Sequence, residues 1–168
     1  MTTSARTMCA MCASSHDPAS LACETVPVPD PGPGEVLVEV HATAVTAGEL
    51  TWPESWPAIP CHDLSGVVAE AGSGVPGWRP GDEVYGLVGF DRPGAAAEYV
   101  TAPAADLAAK PRGVSHAEAA AVPWARSRPG RPCTSTRGCS RGSMSWSMVA
   151  PAASVPTLSS SRRCTAPG

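Results

Sequence analysis

In VLVEVH, Val36, Val38 and Val40 alternate with Leu37, Glu39 and His41. A period of two is that of a strand, and it puts the three valines on one face. The Pro/Gly run from Pro27 to Gly34 predicts an extended approach and a turn into that strand. In DLSGVVAEAG, Leu64, Val67 and Val68 flank Gly66, and Gly72 and Gly74 end the run. A glycine inside a strand pattern predicts a bulge or a close backbone approach. Arg79 to Asp82 predicts a turn before a short strand through Val84 and Tyr85. Tyr99 and Val100 mark a further strand, then a turn and an extension to Lys110. Short strands at turn-rich intervals predict a small barrel or sandwich.

One helix signal stands out. In SHAEAAAVP, Ser115 and Glu118 have the spacing of a capping box, so a helix starts here and runs through Ala119 to Ala121. Pro123 stops it within two turns. The periodicity does not resume.

Composition changes this picture in one place. The chain has 168 residues, enough for about one domain. All fifteen Asp and Glu lie between Asp17 and Glu118, and the chain up to Trp124 holds five basic residues, a net −10 for that part. Beyond Trp124 there are seven Arg and no acid, Lys or His. A basic tail of this kind suits an anionic partner. It has no amphipathic pattern and little aromatic interleaving, so nucleic-acid binding is not expected. No run reaches the roughly 18 apolar residues of a membrane span. The first twelve residues lack a charged region followed by an apolar core, so a cytoplasmic protein is expected. Its seven Cys are then expected as thiols rather than as a disulfide framework.

VPVPDPGPGEVLVEV, IPCHDLSGVVAEAG, WRPGDEVYG and AAAEYVTAPAADLAAKP occur in that order. Together they resemble the N-terminal catalytic domain of medium-chain dehydrogenases/reductases, in the NADP-dependent, quinone-oxidoreductase-like branch. The resemblance covers about Met8 to Val122. It implies a mainly β, GroES-like, partly open barrel with short helices over 1–124. It also implies that a Rossmann domain binding NADP(H) should begin near residue 125. The implied activity is hydride transfer to a quinone or an activated alkene or carbonyl, with a homodimer possible in the intact family member.

As written, 125–168 holds no GxGxxG. In the neighbouring reading frame each codon takes the third base of one residue and the first two of the next. Met and Trp have single codons, so Met148–Val149 must become Gly. Trp146–Ser147 and Met144–Ser145 become Val with four-fold Ser codons. Ser143 to Pro156 can then read DVLVHGGAGGVGA, a buried strand followed by a dinucleotide-binding glycine loop. The same offset lets Ala125 to Gly142 supply the helix and turn before it. The expectation is a frameshift near Pro123 to Ala125, leaving a disordered, out-of-frame remnant of the cofactor domain and a chain inactive alone. The alternative is a non-catalytic barrel module whose basic tail binds an anionic partner.

The resemblance also places candidate residues. Thr46 and Glu49 match positions bordering nicotinamide and substrate, or they cap their own loop. Trp52 and Trp56, with Ile59, line an apolar pocket or pack a Pro-rich loop over the barrel mouth. Tyr85 and Phe90 are placed near the cleft. No residue stands out as an obligatory acid or base. His62 and Asp63 stand where zinc-dependent members carry His-Glu. The matching upstream cysteine position is Thr46, so no zinc is expected, and His62 and Asp63 read as a hydrogen-bonded structural pair. The resemblance puts Cys9 and Cys12 on the first strand, where a structural role is expected.

Overall fold

The computed structural model describes residues 6–53 and 55–124. The frameshift reading and the disorder expected for 125–168 therefore fall outside the described residues. Among the described residues seven strands form in chain order: β1 Thr7–Cys12, β2 Ala22–Pro27, β3 Glu35–Ala44, β4 Asp63–Ala71, β5 Glu83–Leu87, β6 Tyr99–Pro103 and β7 Leu107–Ala109. One short α-helix follows, α1 His116–Ala120. β3 to β7 make an antiparallel sheet in the order β6-β3-β4-β5-β7, and β1 and β2 form a separate hairpin. The hairpin is tied to the segment before β6 by Met11 N–H to Ala96 O at 2.8 Å and Glu98 N–H to Cys9 O at 3.0 Å. The two sheets do not close on each other, and the barrel stays partly open.

The core follows from the alternation. Val36, Val38, Leu64, Val68, Val84 and Val100 pack together, with Ala102 and Leu107. Leu37, on the opposite side of the alternation, is also fully buried. At its start the strand is therefore covered on both faces, while Glu39 and His41 further along are exposed. Gly66 confirms the close approach: a Cβ there would lie 2.0 Å from the carbonyl oxygen of Glu39. The β3–β4 register shifts beside it, between Val40 and Ala42.

β4 has two unlike faces. Leu64 and Val68 enter the core, while Asp63 and Ser65 point the other way. The chain after β7 covers that polar face. Ser65 Oγ and His116 Nδ1 are 2.8 Å apart, and Ser65 also donates to the carbonyl of Val84 at 3.0 Å. Glu83 takes His116 Nε2 and Lys110 Nζ, each at 3.3 Å. Helix α1 has the reciprocal capping box of Ser115 and Glu118 and buries Ala119 and Ala120.

Candidate active-site cleft

The segment between β3 and β4 is long, and a buried carboxylate closes it. Glu49 begins a single 3-10 turn, Glu49–Thr51, after Gly48, whose φ is 80°. Its side chain turns inward and Glu49 is only 5% exposed. Its Oε1 accepts from Cys61 N–H at 2.8 Å, and its Oε2 accepts from Thr46 N–H at 3.0 Å. The two ends of the loop are thereby stapled together. Cys61 sits at φ 70°, a strained value for a residue with a Cβ. Burial, and then the Glu49 carboxylate, push its thiol up to about 12, so it is neither a nucleophile nor a ready metal ligand.

His62 and Asp63 do not form the expected pair. Successive side chains on extended backbone point to opposite sides. His62 faces the cleft, against the Phe90 ring at 4.5 Å between centroids. Its Nδ1 is buried without a hydrogen-bond partner. Burial holds its imidazole below the ordinary histidine range. Asp63 is turned instead to the chain beyond α1, where its Oδ1 accepts from Trp124 N–H at 2.6 Å.

Burial raises the Asp63 carboxyl to about 6; the Trp124 N–H opposes the rise and Glu49 adds to it. The fold therefore favours the protonated form. That contribution to stability is full below the ordinary carboxyl value and is lost as pH rises through about 6. Asp63→Asn keeps an acceptor for Trp124 without the buried charge. Its denaturation midpoint in urea, relative to the parent protein, should rise between pH 4 and pH 6 and stay higher above that. The gain at neutral pH should be about 1–3 kcal/mol. A variant less stable than its parent at pH 7.5 would contradict this account.

Three rings form the rim. Trp52, Phe90 and Trp124 contact one another with centroid separations of 5.4 to 5.7 Å. Below them lies a cleft of about 740 Å³. Its walls include Val26, Pro53, Pro57, Ile59, Pro60 and Pro93; its polar side chains include Glu24, Glu49, His62, Asp91 and Arg92. Arg92 is already engaged, with Glu35 at 2.6 Å and the carbonyl of Thr101 at 3.3 Å.

Of the residues singled out from sequence, the cleft brings together Glu49, Trp52, His62 and Phe90, with Ile59. Thr46, Trp56, Asp63 and Tyr85 are not among its described lining residues. Thr46 offers its backbone N–H to Glu49, and Trp56 packs edge-on against His16 at 5.0 Å. Tyr85 sits mid-strand, paired with Ser65 and Ala108. The sequence reading missed Glu24, Asp91 and Arg92, which come from distant segments with no shared motif. Cys9 and Cys12 lie three apart on a strand, and the burial alternation puts them on opposite faces. They cannot share a ligand or a disulfide without breaking β1.

These residues do not fit a zinc ion. Both Glu49 oxygens accept backbone N–H groups, Asp63 faces Trp124, and the Cys61 thiol is buried in its neutral form. Among the described residues no three His, Cys, Asp or Glu side chains converge as a ligand set. Nor do these residues fit the pyrophosphate of a dinucleotide. No glycine loop among them leads into a helix longer than α1.

Residues 32–112 match the alcohol dehydrogenase GroES-like domain. Over these residues the chain is similar to the GroES-like domain of medium-chain dehydrogenases/reductases. A probable zinc-binding mitochondrial oxidoreductase of Arthroderma benhamiae is 38% identical over 111 residues, covering 62% of this chain and 33% of that protein. A 2-methylene-furan-3-one reductase of Solanum lycopersicum is 38% identical over 114 residues, covering 60% and 29%. The quinone oxidoreductase of Coxiella burnetii superposes with a TM-score of 0.65 at 28% identity, covering 70% of this chain and 41% of that one. The chain spans about a third of the length of the curated relatives it matches. Within that third, the GroES-like domain supplies the cleft just described. No described helix is long and apolar enough to cross a membrane.

Proposed function

We propose that this GroES-like domain is the substrate-side wall of a zinc-independent, NADPH-dependent reductase of quinones or activated alkenes and carbonyls. The cleft carries the reading: its walls are apolar and ring-rich, and its buried carboxylate, Glu49, is committed to the backbone rather than to a metal. Relatives named for quinone and enone-type reduction support the substrate class. The hydride donor would be a reduced nicotinamide, bound by a cofactor domain outside the described residues. The residues described here have a narrower task. Trp52, Phe90 and the proline-rich wall hold a flat ring and exclude water. The Glu49 staple fixes the loop that carries Trp52.

The frame of residues 125–168 is part of this proposal. The chain as given should neither bind NADPH in the micromolar range nor reduce a quinone. Restoring the neighbouring frame at codons 123–125 should yield a product that does both, with well under one zinc per chain. Titration of NADPH fluorescence, a quinone-reduction assay and elemental analysis of the two proteins check the three points together. Micromolar NADPH binding by the chain as given, or zinc-dependent activity in the restored one, would overturn the reading.

A further inference from the structure

The charges around the cleft are unequal. Glu24, Glu49 and Asp91 line it from β2, from the turn after β3 and from the loop after β5. Arg92 is the one Lys or Arg among the described lining residues. Its guanidinium is held 2.6 Å from the Glu35 carboxylate, which balances its charge. The histidine at the floor is held below its ordinary range by burial, so it adds no cation near neutral pH. The remaining walls are proline, aromatic and aliphatic surface, which gives contact area without donors for an anion. A negatively charged ligand entering here loses water and meets three carboxylates with no free cation to answer them.

From this geometry we infer that the cleft selects flat, uncharged carbonyl compounds and rejects their anionic congeners, and that Glu24 and Asp91 set this discrimination. The inference rests on the proposed substrate class and narrows it. Glu49 contributes to the field, but its position is fixed by its backbone bonds. Glu24 and Asp91 are exposed residues at the mouth, so their charges can be removed without disturbing the core. Rejection by exposed charges falls with ionic strength, because separations near 10 Å are screened at about 0.1 M salt.

A matched pair of ligands tests it on the chain as it exists. Anthraquinone-2-sulfonamide and anthraquinone-2-sulfonate share one flat ring system and differ in charge. Neither presents an open quinone carbon to the protein's thiols. Saturable quenching of tryptophan fluorescence, with Trp52 on the rim, reports binding. The expected result is at least tenfold weaker binding of the sulfonate at low salt. That gap should narrow in 0.5 M NaCl and in the Glu24→Gln/Asp91→Asn double variant. Equal affinities at low salt would overturn the inference while leaving the substrate-side cleft standing. A gap that persists unchanged in both the double variant and high salt would also overturn it. Failure of both ligands to bind would overturn it together with the cleft reading beneath it.

Discussion

Gly66→Ala should cost the domain more than about 3 kcal/mol, or prevent it from folding. The added Cβ would lie 2.0 Å from Glu39 O and 2.9 Å from Val38 Cγ1. The first neighbour is backbone and cannot swing aside. The β3–β4 pair would have to separate where its register already shifts, beside the Val40↔Gly66 pairing. Both strands carry core residues, Val36 and Val38 on one and Leu64 and Val68 on the other, so separation also opens the core. Since a domain's whole stability is about 5–15 kcal/mol, this is a large share. Two other glycines calibrate the experiment. Gly77 has open space and ordinary backbone, so its Ala variant should sit within about 0.5 kcal/mol of the parent. Gly34 also has space but lies at φ 79°, so only backbone strain opposes alanine, about 1 kcal/mol. Urea denaturation should rank the three as Gly66, Gly34, Gly77 in falling cost. A Gly66 variant no worse than the Gly34 variant would show that the strands can yield.

Gly66 was legible in sequence because its signal is local: a glycine interrupts a run that otherwise reads as strand. The capping box of Ser115 and Glu118 is local in the same sense, three residues apart with both bonds formed. The polar links around the cleft are not local. Asp63 meets Trp124 across 61 residues, and Arg92 meets Glu35 across 57. No spacing or periodicity announces such a pair; only the sheet order brings the groups together. The alternation in β4 held a partial clue. Asp63 and Ser65 share the face opposite Leu64 and Val68, and a polar face on a central strand needs polar cover. His116 and the Trp124 backbone provide that cover. The aromatic rim was legible by resemblance for Trp52 and Phe90, whereas Trp124 joins it through an exit path the sequence did not reveal. The direction of an acidic side chain was also illegible. Glu49 on a loop reads equally as a cleft carboxylate or as a local cap, and the structure makes it line the cleft while its oxygens bind backbone.

Glu49→Ala should therefore be the most damaging single change at the cleft, lowering stability by about 3 kcal/mol or more. Truncation leaves the N–H groups of Thr46 and Cys61 without the acceptors that satisfy them, one of them fully buried. Each orphaned buried donor costs about 1–3 kcal/mol, and bonds to a charged acceptor lie at the strong end. Cys61 adds to the loss. Its backbone is held at φ 70° by the surrounding bonds, and removing one of them releases the strain by moving the segment that leads into β4. Glu49→Gln separates the roles of shape and charge. The amide oxygen can serve one N–H, but the amide nitrogen then faces the other, donor against donor. The glutamine variant should fall between the parent and the alanine variant. Because the staple fixes the loop that carries Trp52, quenching by a flat aromatic ligand should weaken in the same order. That order connects the measurement to the cleft: a loss of stability spread evenly through the domain would leave the ligand's affinity unchanged under native conditions, whereas a loosened loop would not. A Glu49→Ala variant within 1 kcal/mol of the parent, with ligand affinity intact, would mean that water replaces the carboxylate at both N–H groups and that the loop is held by its prolines instead.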